Sequence, residues 1–155
     1  MVNNMAEKEL CILTNMCMVY DGDKILVQNR LNPNWPGITF PGGHVESEES
    51  FVKSTIREVK EETGLDICDL KLCGIKQWNS RKENYRYIVF LYKTDKFKGE
   101  LKSSSEGEVF FINKADIMNY PLADGFDKML EVFFEDDITE NYHYLENDEW
   151  ICENL

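Results

Sequence analysis

The run from Leu10 to Tyr20 is mostly apolar and stops at Asp21-Gly22-Asp23, a sequence that favours a tight hairpin. Lys24 to Arg30 reads as the returning strand, and Asn32-Pro33-Asn34-Trp35-Pro36-Gly37 as a loop. Ile38 to Phe40 is a short strand that runs through Pro41 into the glycine pair Gly42-Gly43. Phe51, Val52, Thr55, Ile56 and Val59 then recur at helical spacing. Ser47 and Ser50 stand where N-caps would, and Gly64 where a C-terminal glycine ends a helix. Two β-rich runs follow, Lys71 to Trp78 and Tyr85 to Lys93, around the polar stretch 79–84. Val109 to Ile112 is a further strand, and Leu122, Phe126, Met129, Leu130, Phe133 and Phe134 trace an amphipathic helix. Ile138 to Leu145 and Glu149 to Cys152 form a last strand pair. Strands and helices interleave, which predicts an α/β fold with a mixed sheet.

The helix after the glycine pair carries Glu58, Glu61 and Glu62. Spacing of i, i+3, i+4 puts the three carboxylates on one helix face, predicted to lie away from the apolar stripe. Like charges so placed repel, unless a hard divalent cation turns repulsion into attraction. A solvated acidic face is the bland alternative. Arg57 is one turn from Glu61 and is expected to hold it in place.

The surrounding residues identify the stretch. Gly43, Glu49, Arg57, Glu58, Val59, Glu61, Glu62, Gly64 and Leu65 meet every specified position of the Nudix box, a glycine, five residues, Glu, seven residues, then Arg-Glu-apolar-x-Glu-Glu-x-Gly-apolar. A chance match at a given start has a probability on the order of 10⁻⁹. The chain therefore resembles the Nudix hydrolases, with size and layout similar to the small MutT-like members. That resemblance implies a Nudix-type α/β/α sandwich with a mixed β-sheet in a single domain over residues 1–155. It implies hydrolysis of a nucleoside diphosphate linked to another group, with Mg²⁺, or Mn²⁺ in its place. Glu58, Glu61, Glu62 and the Gly42 carbonyl are the implied metal ligands, and Glu49 an outer partner. Arg57 is then a positioning residue, and the proton of the attacking water goes to a helix glutamate or to Glu106, which some relatives supply from a comparable loop. Glu108 is expected only to pair at the surface. The MutT-like layout implies a nucleoside triphosphate, such as 8-oxo-dGTP, cleaved to the monophosphate and pyrophosphate. ADP-ribose, dinucleoside polyphosphates, nucleotide sugars, capped RNA and a non-catalytic nucleotide sensor are the alternatives.

Base recognition needs residues outside the box. Trp35, Trp78 and Tyr85 are candidates for stacking, although aromatics on strands more often fill cores. Asp124 lies in a loop that relatives use near the base, or else caps the helix that follows. His44 and His143 are the two histidines; His44 adjoins the site, and His143 reads as packing.

A chain of 155 residues with 43% hydrophobic residues can bury a sizeable core. No apolar run is long enough to span a membrane, and the start of the chain lacks a signal pattern, so a cytoplasmic location is expected. The five cysteines are odd in number and show no CxxC spacing, which argues against zinc or a disulfide framework; Cys11 and Cys17 read as small buried hydrophobes. A net charge of −12 argues against long nucleic acid or an anionic membrane as partner through a basic surface. A small anionic nucleotide remains compatible, because a divalent cation bridges the charges and Arg30, Lys76 and Arg81 add local positive charge. Oligomeric state is not encoded in any of these features.

Overall fold

The computed structural model describes residues 8–80 and 82–155; Arg81 lies outside them. The elements are β1 (Cys11–Asp21), β2 (Lys24–Arg30), β3 (Gly37–Thr39), α1 (Phe51–Thr63), β4 (Asp66–Cys68), β5 (Lys71–Ser80), β6 (Tyr85–Thr94), β7 (Lys96–Lys98) and β8 (Gly107–Asn113), then a 3₁₀ turn (Lys114–Asn119), α2 (Phe126–Phe134), β9 (Glu140–Glu146) and β10 (Glu149–Asn154). The expected elements are all present. The short β4–β7 ladder and the 3₁₀ turn were not anticipated, because three-residue strands carry no period to read.

The sheet is mixed, in the order β10-β9-β5-β6-β1-β2-β3, with β8 on β2. The β1–β6 and β5–β9 pairs are parallel and the other ladders antiparallel. β1 meets β2 only at Tyr20–Ile25 and Asp21–Lys24. The hairpin therefore joins two partly separate halves, with β1 committed to β6 and β2 to β8 and β3.

Period-two alternation divides the core. Met16, Met18, Ile25 and Val27 turn toward α2 and pack with Phe126, Met129 and Phe133. Cys17, Val19 and Leu26 turn the other way, with Val59 of α1 and Leu65. Helices thus cover both faces, the α/β/α sandwich expected from the sequence. Phe40 is fully buried, with Phe126 and Phe133 edge-on at 5.0 Å on either side.

Several local expectations are corrected. Ser50, not Ser47, caps α1, accepting from the Lys53 amide at 3.1 Å. Gly64 ends α1 at φ 76°, where a side chain would be strained. The buried face of α1 is Ser54, Thr55, Val59, Glu62 and Thr63, whereas Phe51 and Val52 are exposed. Glu62 therefore lies on the buried side and not on the face away from it. Cys17 is buried as expected, but Cys11 is exposed at the start of β1. Gly125, not Asp124, is the N-cap of α2.

Replacing Phe40 with Ala removes both edge-on contacts from a site with no room to relax. A loss of ~3–5 kcal/mol of unfolding free energy is expected, measured by urea titration. A loss below ~1 kcal/mol would mean that the two helix aromatics collapse into the gap.

Candidate active site

The segment 41–45 lies along the free side of β1. The Asn15 amide donates to Gly43 O, Cys17 N–H to Pro41 O and Val45 N–H to Leu13 O, each at 2.9 Å. Alternate residues thus face β1, and Gly42 between them faces α1. A Cβ at Gly42 would collide with the Asn15 carbonyl, and one at Gly43 with the Glu58 carboxylate. Only glycine lets the loop fit between strand and helix. The Gly42 amide donates to Glu62 Oε2 at 2.9 Å. N–H and C=O of one residue in an extended chain point the same way, so the Gly42 carbonyl faces the same carboxylates.

Arg57 organises the outer part of the site. It donates to Glu49 at 2.9 and 3.0 Å, to Glu58 at 2.8 Å, to the His44 carbonyl at 3.0 Å and to Glu61 at 3.3 Å. The expected pairing with Glu61 is present, but it is the longest of these contacts. Hydrogen bonds from Arg57 hold Glu49 down at about 2. Burial raises the Glu58 carboxyl above its ordinary range and pushes Glu62 up to about 7. Glu106, exposed ahead of β8, is close enough to add to the rise at Glu62, and Arg30 opposes it.

Among the described residues no three side-chain ligands converge as a metal cage, because Glu58 and Glu61 turn to Arg57 and Glu62 to Gly42. The donors nevertheless fit a hard divalent cation by type, being carboxylates and a carbonyl. Two of them carry a desolvation cost that a cation would offset.

A pocket of about 650 Å³ opens beside this site and is lined by Gly42, Gly43, Arg30, Trp35, Trp78 and Asp124, among others. It brings together the four residues proposed from sequence for substrate. Tyr85 is not in its wall; Tyr87, two residues along β6 on the same side of the strand, is, stacked on Trp78 at 4.3 Å. Trp35 donates from Nε1 to the Asp124 carbonyl at 2.8 Å. The Arg30 guanidinium stands 5.8 Å from the Trp35 ring, and its buried Nε has no partner.

No local pattern in the chain pointed to a wall from the C-terminal hairpin. His143, read as packing, lines the pocket with Trp150 and Cys152. β9 pairs with β5 so that Asn141 is opposite Lys76 and His143 opposite Trp78. A relay orients His143. Glu131 can only accept, so Asn154 Nδ2 donates to it at 2.7 Å. Asn154 Oδ1 then accepts from Asn141 Nδ2 at 2.7 Å, and Asn141 Oδ1 faces His143 Nε2 at 2.8 Å. This assigns the proton to Nε2 of a neutral ring, in keeping with burial and Lys76 holding His143 down at about 4.

Comparison with known proteins agrees with this arrangement. The NUDIX domain model matches residues 13–133. An uncharacterized Nudix hydrolase, YvcI of Bacillus subtilis, is 31% identical over 113 residues, covering 70% of each chain. An ADP-ribose pyrophosphatase of Methanocaldococcus jannaschii is 32% identical over 96 residues, 60% of this chain and 57% of that one. In structure, a MutT protein from Bacillus halodurans superposes with a TM-score of 0.75 at 23% identity, covering 92% of this chain and 97% of the other. The NUDIX domain of Shewanella oneidensis NrtR, in complex with ADP ribose, gives 0.59 at 21% identity, with 83% and 88% covered. The domain match spans most of the chain and contains the glycine loop, α1 and the acidic cluster: the chain belongs to the Nudix hydrolase family.

Proposed function

We propose that this protein hydrolyses a nucleoside triphosphate to the monophosphate and pyrophosphate, with Mg²⁺ as the metal and the base held in the aromatic pocket. Hydrolases of this family act on nucleotide derivatives and generally use a divalent metal. The observation that carries the finer reading is one continuous pocket. It joins the Gly42–Gly43 loop and its glutamates to Trp35, Trp78 and Asp124, past Arg30. Its volume of about 650 Å³ suits a small ligand.

The residues divide the work. Glu58, Glu61, Glu62 and the Gly42 carbonyl would hold the cation, which when bound supplies positive charge to the phosphate oxygens and makes the attacking water more acidic. Arg57 fixes Glu49, Glu58 and Glu61. Arg30, with its unpartnered Nε, meets the phosphate chain on its way out of the pocket. A carboxylate takes the water's proton; Glu61, the most exposed of the helix carboxylates with a resolved ion pair, and Glu106 are the candidates. Trp35 and Trp78 stack on the base. Asp124 offers an acceptor to a base N–H. Oxidation of guanine at C8 turns its N7 acceptor into such a donor, so an oxidised guanine triphosphate gains a bond that the normal base lacks. An ADP-ribose substrate is the second reading, favoured by the named activity of the Methanocaldococcus relative.

Three outcomes are expected. Turnover requires Mg²⁺ or Mn²⁺, and excess chelator abolishes it; full activity in chelator removes the metal role. Glu61→Gln and Glu62→Gln each lose about 10²–10³ in kcat, an electrostatic loss of ~3–4 kcal/mol, with unchanged far-UV circular dichroism; near wild-type kcat in both would leave α1 with only an acidic surface. Product analysis shows monophosphate and pyrophosphate from a triphosphate, with kcat/KM for 8-oxo-dGTP about one to two orders above dGTP. A far larger kcat/KM on ADP-ribose would transfer the assignment to that substrate, and a ratio near unity for the two guanine triphosphates would remove the oxidised-base preference alone.

A further inference from the structure

Lys76 is out of place for a strand residue in a pocket wall. It is 9% exposed, yet among the described residues no carboxylate lies within ion-pair distance of it and no hydrogen-bond acceptor engages it. Its ammonium stands 5.8 Å from the Trp78 ring and 6.0 Å from the Trp35 ring, which supply attraction through their faces but no acceptor. Burial lowers its pKa, while the more distant Cys152, Asp124 and Asp127 partly restore it. Lys76 lines the pocket, and a ligand that displaces water from its ammonium must offer it an acceptor.

Its surroundings say which kind of ligand. Nζ lies beside Gly125, where a Cβ would come within 3.8 Å of it and within 3.7 Å of His143 Cε1. Lys76 and Arg30 both stand near the Trp35 ring, 6.0 and 5.8 Å from its centre. Arg30 is coupled to Glu62 and so belongs to the phosphate end. Lys76, opposite Asn141 on β9, belongs to the aromatic end, and the sequence-based role of helping with phosphate does not suit it. A phosphate there would also face the carboxylate of Asp124. A neutral acceptor between two indole rings fits both the donor and its acidic neighbours.

We propose that Lys76 is a specificity-determining residue that donates to an oxo group on the nucleobase. Guanine, hypoxanthine and their oxidised forms present such an oxo group. A base lacking it leaves Lys76 without an acceptor in the filled pocket. The wall behind Lys76 is the β9–β10 hairpin, which lies beyond the residues matched by the family model. The Glu131–Asn154–Asn141–His143 relay orients His143, and burial and Lys76 keep it neutral, so that among the described residues lining this end the positive charge is that of Lys76. Base choice in this chain is therefore set by residues outside the motif that defines its chemistry.

The inference rests on the pocket being the nucleotide site, and equilibrium binding separates it from the question of turnover. Inosine 5′-monophosphate and purine riboside 5′-monophosphate differ only in the lactam, and both are titrated by tryptophan fluorescence against the wild type and Lys76→Met. The wild type should bind the inosine nucleotide more tightly by about 10- to 100-fold. Lys76→Met should bring the two within about twofold by weakening the inosine nucleotide alone. Equal dissociation constants in the wild type, no binding of inosine monophosphate, or a preference that survives in Lys76→Met would each overturn the proposal. If the variant fails to fold, the Lys76 ε-methylene resonances of the wild type decide: they shift on adding the inosine nucleotide and not the purine one, and absence of that difference overturns it. Lactam-selective binding without triphosphate hydrolysis would defeat the proposed reaction and leave this inference standing; hydrolysis without lactam selectivity would do the reverse.

Discussion

The contact between the glycine loop and its two neighbours governs the site. Gly42 is pressed between the Asn15 carbonyl and the Glu62 carboxylate, and Gly43 lies against Glu58. β1 uses one side for its parallel ladder with β6 and the other for residues 41–45. The helix that carries the glutamates is thereby positioned against an interior strand of the sheet. A side chain at Gly42 would push the loop off β1, and one at Gly43 would push it off the helix at Glu58. The distance tolerance of such a site is small, since catalysis by fixed charges depends on where those charges stand.

Charge is managed locally on a strongly acidic chain. Glu62 is buried with one amide bond as compensation, and Glu58 is partly buried beside Arg57. Arg57 reaches Glu49, Glu58, Glu61 and the His44 carbonyl through a single planar guanidinium. A lysine has the charge but not the fork of donors that this arrangement uses. The acidic cluster thus has one interior and one exposed part. The interior part is rigid and desolvated; the exposed part, with Glu61 and Glu106, meets solvent.

The pocket beside the acidic cluster follows a different logic. Its walls come from β1, the loop after β2, β5, β6, the start of α2 and the C-terminal hairpin. Aromatic rings supply area, and two cations, Arg30 and Lys76, flank Trp35. A shared catalytic motif can serve many substrates when the residues that read the substrate are carried by other elements.

The sequence alone determined the chemistry and most of the fold. Gly43, Glu49, Arg57, Glu58, Glu61, Glu62 and Gly64 are local in the chain, so their spacing on one loop and one helix was legible without coordinates. Period two and period 3.6 placed the major strands and both helices, and missed β4, β7 and the 3₁₀ turn because those are too short to repeat. What tertiary structure decided is what long-range contacts decide. The i, i+3, i+4 spacing grouped the glutamates but could not tell that Glu62 faces inward, because that depends on the glycine loop lying on β1. Tyr85 and Tyr87 share one side of β6, and the place of the pocket along the strand decides that Tyr87 and not Tyr85 lines it. Lys76 and His143 are far apart in sequence and are joined only where β9 pairs with β5. Local spacing grouped the glutamates on one loop and helix; the pairing of distant strands decided what lines the pocket beside them.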